Sequence, residues 1–193
     1  MGWLIVGLIL FFGIHTVSII SDPWRDSMVD KIGLIAWKGI YAFISVIGLY
    51  LMIRGYAAAH QNALTLYQPA PWLKHVAMTL QLPVFPLLLA AYIRGRIATT
   101  VKHPMLLATI LWSASHLLIN GQLTGILLFG TCLTWAIIDL YSLCGRSQRP
   151  LPGAPASRFN DVIAVFLGLA LHYGMIIWGH AAIVGVPLKS VAL

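Results

Sequence analysis

Seven histidines are the side chains of this sequence most able to bind or transfer anything, and two of them lie inside long apolar runs. His15 falls in the run from Gly2 to Ile20, and His116 in a run that starts at Pro104 and ends at Asn120-Gly121. An ionisable group held in hydrocarbon is costly, so it normally serves a purpose. His116 has Trp112 four residues before it and Asn120 four after, which puts all three on one face of one helix. Imidazole is the usual axial donor to haem iron, and a neutral ring on a metal avoids burying a charge. Two such rings from two helices would grip a haem edge-on inside a bundle. The nominal depths of His15 and His116 differ by about 10 Å at 1.5 Å per residue, a gap that helix ends two to four residues off would close.

Other readings stand beside this one. An isolated membrane histidine also serves as a hydrogen-bonding contact to a neighbouring helix, and a membrane tryptophan as a belt or core residue. His172 lies near mid-depth of the last apolar run and is the rival metal ligand. His180 is eight residues further along, about 80° around the helix at 100° per residue, and is expected near the outer interface with a solvated or packing role. His60 and His75 flank an outer loop that holds Tyr67, Pro69, Pro71 and Trp72, a pattern of interfacial anchoring. His103 precedes Pro104 beside Lys102. Either it sets the geometry of the helix start, or, with Arg94, Arg96 or Lys102, it contacts an anionic group such as a haem propionate. A tetrahedral zinc site would need thiol or acidic ligands at the depth of His15 and His116, and the sequence supplies none.

The elements that must position these residues follow from composition. The chain has 193 residues, 60% of them apolar and 9% charged, with a mean hydropathy of +0.88, whereas a soluble domain carries about a quarter charged residues. The expected fold is all-α, a single integral membrane domain of about six transmembrane helices. The spans fall at about 2–20, 34–54, 73–93, 104–121, 126–143 and 161–184. Pro83 and Pro86 should kink the third span, and Pro104 is well placed in the first turn of the fourth. The stretch from Gly145 to Arg158 is rich in Pro, Gly and Ser and reads as an exposed connector. Nine of the twelve basic residues lie on odd-numbered loops and their flanks: Arg25, Lys31, Lys38, Arg94, Arg96, Lys102, Arg146, Arg149 and Arg158. Arg54, Lys74 and Lys189 fall on the other side, so the positive-inside rule places both termini outside.

Several classes fall away. The formal charge of +7 is scattered between apolar runs, which suits membrane orientation and not nucleic acid. Cys132 and Cys144 sit about 18 Å apart along one helix and cannot bridge each other. No Ser/His/Asp order, HExxH or glycine-rich phosphate loop is present. All five acids are aspartates; Asp139, at a helix end, is expected to pair with a cytoplasmic-side Arg or Lys, and the lack of mid-membrane acids argues against an ion-driven transporter. The first apolar run has no basic leader and is too long for a cleavable signal, so it is expected to remain, and Val6 breaks a myristoylation pattern.

The ordered motifs resemble the bacterial NnrU family. They are Gly2-Trp3-Leu4, Phe12-Gly13-Ile14-His15-Thr16-Val17-Ser18, Trp37-Lys38-Gly39-Ile40-Tyr41, Lys102-His103-Pro104-Met105, Trp112, His116-Leu117-Leu118, Asn120-Gly121, Asn160-Asp161 and Gly185-Val186-Pro187-Leu188. The resemblance covers essentially the whole chain. It implies a multi-pass protein of the bacterial inner membrane, linked to denitrification through the expression or activity of nitrite and nitric oxide reductases, whose components would be its partners beside the lipid bilayer. The family is similar in turn to plant and cyanobacterial zeta-carotene isomerase, a haem b membrane enzyme. By that similarity the axial histidines fall on His15 and His116, and the histidine before the proline on His103. Where the isomerase has a cysteine three residues before the second histidine, this chain has Ser113, which removes a thiolate ligand. Two further functions therefore stay open: a haem isomerase acting on a polyene or carotenoid-like lipid, and a haem-free assembly factor whose histidines only pack.

Overall fold

The computed structural model describes residues 1–146, 149 and 153–185, and no β-strand forms among them. Val186, Pro187, Leu188 and Lys189, together with Ser147 of the connector, lie outside the described residues. The first helix, α1 (Gly2–Ile20), ends where expected, at Ser21-Asp22-Pro23. The same three residues also start a helix that hydrophobic spacing does not reveal, α2 (Asp22–Ile32). Ser21 caps it by accepting from the Trp24 amide at 3.3 Å. Pro23 sits in its first turn, Asp22 and Lys31 complement its dipole, and Gly33 ends it at φ 86°.

Helix α3 (Leu34–His60) runs six residues beyond the expected end at Arg54. The extension is held by Gly55, which lies so close to Leu4 of α1 that no Cβ would fit. The third span is broken into α4 (Leu73–Gln81) and α5 (Val84–Ala90), because Pro83 has no amide to continue the ladder. It stops short of Ile93, since the Tyr92 and Ile93 amides turn back to the Leu89 carbonyl. A short α6 (Arg96–Val101) precedes α7 (Pro104–Ile119). Helix α8 (Leu123–Ser142) begins three residues earlier than its apolar run suggests. The last run holds α9 (Asn160–Gly174), a π-helical turn at Met175–Gly179 and α10 (His180–Val184), closed by Gly185 at φ 80°.

Among the described residues, five segments are long and apolar enough to cross a membrane: α1, α3, α4 with α5, α8, and α9 through α10. The sixth expected span differs. At 16 residues, α7 is about 24 Å long, short of the roughly 20 residues that cross a bilayer. Asn120 ends it by turning extended, at φ −126° and ψ 94°. This helix is the inner member of the bundle, flanked by α4, α5 and α8. Around it, α8 bridges to α1 and α3, and α5 carries α9. Large apolar residues such as Trp3, Ile35, Phe43 and Phe166 are exposed on the outer helices, the inside-out pattern of a protein solvated by lipid.

Two polar clasps order the end of the bundle that carries α2 and α6. Arg149 pairs with Asp22 at 2.9 Å and Asp26 at 2.8 Å, tying the connector to α2. The hydrogen bond from Arg25 is the main cause that holds the Asp26 carboxyl below the usual range, with Arg149 adding to it. In the second clasp, Asp161 accepts from the Arg96 amide at 2.7 Å and the Ile97 amide at 3.0 Å, capping α6 from the start of α9. Asn160 Nδ2 donates to the carbonyls of Arg94 and Pro155, at 2.7 and 2.8 Å. Asp161→Ala removes an ionised acceptor from two amides and is expected to cost about 2–3 kcal/mol. Thermal unfolding of detergent-solubilised protein checks this, with Asp161→Asn expected to lose less because it keeps one acceptor oxygen.

Candidate functional site

The polar side chains of the interior gather in two layers on the inward face of α8. The outer layer is centred on His116, half-buried in α7, whose ring stacks on Phe129 with centroids 4.4 Å apart and lies 5.1 Å from Trp112. Its Nδ1 is 2.8 Å from the Trp112 carbonyl and 2.9 Å from Gln81 Nε2. Gln81 also donates to Ser115 Oγ at 2.7 Å, and Ser115 donates to the same Trp112 carbonyl. A ring nitrogen cannot donate and accept at once. Either Nδ1–H faces Trp112, with the Gln81 amide oxygen turned toward it, or Gln81 donates to a bare Nδ1 and the hydrogen sits on Nε2. A metal on Nε2 selects the first. Asn120 lies at the outer end of this layer and donates to the Tyr56 hydroxyl at 2.8 Å.

The inner layer is centred on His15. Its Nδ1 is 2.6 Å from the Phe11 carbonyl, and its ring meets Phe11 at 4.1 Å, Tyr41 of α3 at 4.9 Å and Trp135 of α8 at 5.7 Å. Asp139, one helical turn beyond Trp135, is buried and pairs with Arg146 at 2.5 Å. The Arg or Lys expected to pair with Asp139 is thus Arg146. His15 and His103 both lie within electrostatic reach of that carboxylate.

Both histidines therefore face the same aromatic interior, formed with Phe12, Phe129, Trp112 and Trp135, but in successive layers. Phe129 and Trp135, the α8 rings beneath them, are six residues apart, about 9 Å of helix. The remaining candidates scatter. His172 meets Phe85 of α5, with centroids 6.5 Å apart. His103 starts α7, and Lys102 before it has φ 64°. Arg94 and Arg96 lie on the turn that Asn160 and Asp161 hold. Sequence spacing singles out neither Gln81 nor the aromatic pair Tyr41 and Trp135. The available signal is that Gln81 interrupts the apolar stretch between His75 and Pro83 with a strongly polar side chain.

The donor chemistry fits an axial pair for haem. Each imidazole has its Nδ1 at hydrogen-bond distance from the carbonyl four residues back, and in the tautomer that carries the hydrogen on Nδ1 its Nε2 is a bare donor nitrogen that could bind a metal. Among the described residues no group of three or more His, Cys, Asp or Glu could hold a metal ion, so a cofactor bringing its own equatorial ligands suits this interior better than a bare ion.

Fold and interior define a multi-pass helical membrane protein with two half-buried histidines facing its aromatic interior. The family model described as NnrU protein matches residues 3–188, and the chain belongs to that family. No curated protein and no solved structure matches it.

Proposed function

We propose that this chain is a membrane haem b protein of the NnrU type, held in a bacterial inner membrane with both termini outside and acting in denitrification in support of nitrite and nitric oxide reductases. The observation that carries the reading is the pair of interior imidazoles, His15 and His116, each pinned through Nδ1 to its own helix with Nε2 left for iron. The group would supply one-electron redox or ligand-sensing chemistry at that position. The chain's own part is to fix the two rings, to exclude water with Phe12, Phe129, Trp112 and Trp135, and to keep Asp139 neutralised by Arg146. His15 and His116 would hold the group, one from each layer of the interior. Absorption spectra of the purified protein, oxidised and reduced, after expression with ample haem test the proposal: a Soret band with reducible α and β bands is expected, and its absence overturns it.

A second reading, a haem isomerase acting on a polyene-like lipid, is favoured by a specific feature. A groove of about 440 Å³ opens between α1 and α8, and its wall includes Phe12 and Trp135, the latter against His15. Gly130 lines it, and a Cβ there meets nothing within 4 Å. Gly130→Leu is expected to fill the groove without unfolding the chain. Under this reading it lowers conversion of a cis-polyene in lipid vesicles about tenfold or more while the visible spectrum stays unchanged; under the first, conversion is absent from both proteins.

A further inference from the structure

Two buried obligate donors have nothing among the described residues to accept from them. They are the Trp135 indole N–H and Nη1 of Arg146, neither of which has a hydrogen-bond partner among the described residues. Neither side chain can serve as an acceptor, so an oxygen must come from elsewhere to satisfy them. Both belong to the inner layer: the Trp135 ring meets His15, and the other terminal nitrogen of Arg146, Nη2, holds Asp139 one turn further along α8. A guanidinium presents donors on both of its terminal nitrogens and can hold one carboxylate on each. Asp139 occupies one, and the other is buried and, among the described residues, unused. Water would satisfy a neutral donor, but a buried half-guanidinium favours an anion.

We propose that Arg146 receives a carboxylate of the bound porphyrin, so that the propionate edge points toward the Ser142 end of α8. The inference rests on the haem reading above and adds Arg146 to Arg94, Arg96, Lys102 and His103 as a positioning residue. A propionate on Nη1 would also give the buried nitrogen of Arg146 an acceptor beside the Asp139 pair, while His15 would hold the iron. The arrangement requires the charge of Arg146 and the acid groups of the porphyrin, and not the charge of Asp139.

The test uses the full chain loaded with haem b, and with haem b dimethyl ester, whose carboxylates are blocked. Haem release to an excess of a haem-scavenging globin is followed for the wild type, Arg146→Gln and the double variant Asp139→Asn with Arg146→Gln. Arg146→Gln is expected to release haem b about tenfold faster, the scale on which outer partners tune a metal group. The double variant is expected to release it equally fast, although it carries no unpaired aspartate. The ester is expected to leave the wild type as fast as haem b leaves Arg146→Gln, with no further difference between the proteins. Return of wild-type release in the double variant would assign Arg146 to charge balance alone and overturn the proposal. So would an Arg146→Gln protein that still distinguishes haem b from its ester as the wild type does. A wild type that binds no haem overturns the haem reading and this one with it; a wild type that binds haem and matches Arg146→Gln overturns this one alone.

Discussion

His116→Ala is expected to abolish the Soret band of the purified protein, lowering the haem-to-protein ratio at least about tenfold, and His15→Ala to do the same. On the proposed reading these two imidazoles would carry the protein's direct bonds to iron, their rings held by the Nδ1 contacts to the Phe11 and Trp112 carbonyls. His172→Ala serves as the control. Its ring lies against Phe85, on helices α5 and α9 at the far side of α7 from α1, so haem content should be unchanged. If His172→Ala lost the band and His116→Ala kept it, the ligand assignment would be wrong. A finer expectation follows from the hydrogen bonds around His116. Gln81→Leu leaves the Trp112 carbonyl contact in place, so it should retain haem while shifting the reduction potential, because the partners of the distal ring nitrogen tune the basicity of the ligand.

Gly48→Leu is the second large effect. Helices α1 and α3 approach so closely that their backbones touch across glycines. A Cβ at Gly48 would lie 2.7 Å from the Phe11 amide nitrogen, and one at Gly7 2.5 Å from the Met52 nitrogen and 2.8 Å from the Gly48 carbonyl oxygen. Those neighbours are main chain and cannot rotate aside, so a larger residue must push the helices apart. Overpacking of a rotatable core costs about 1–3 kcal/mol; against backbone the cost should reach or exceed the top of that range. Small residues at such contacts are what membrane helices use in place of a hydrophobic driving force. The expected result is a lower thermal midpoint and loss of monodisperse behaviour on size exclusion. Haem content should fall as well, since displacing Phe11 displaces the carbonyl that orients His15. Gly39→Leu, on the same helix with open space at its Cβ, should change neither measurement.

Much of this was legible in the residues themselves. Apolar runs long enough to span determined an all-α membrane bundle, because a backbone in hydrocarbon must satisfy its own hydrogen bonds and a helix does so within one segment. Pro83 announced the break between α4 and α5, and a lone aspartate at a helix end among arginines announced its pairing with one of them. The helices that hydrophobic spacing does not show are the polar α2 and the short α6, made by a Ser21 cap in one case and by Asp161, 64 and 65 residues away from the amides it caps, in the other. Periodicity registers apolar burial and is silent about caps.

For the site, the sequence determined which residue types stand in hydrocarbon, and so named His15 and His116. Only the tertiary structure decided what surrounds them, because Gln81, Tyr41, Trp135 and Arg146 come from other helices or from beyond a helix end, and contact between helices is set by how side chains of several segments pack, not by spacing within one. It also decided that the two imidazoles occupy successive layers of one aromatic interior. Depth in a bundle depends on where each helix starts and how closely its neighbours approach, and the glycines that let α1 settle against α3 act between chain segments that no single run of residues contains.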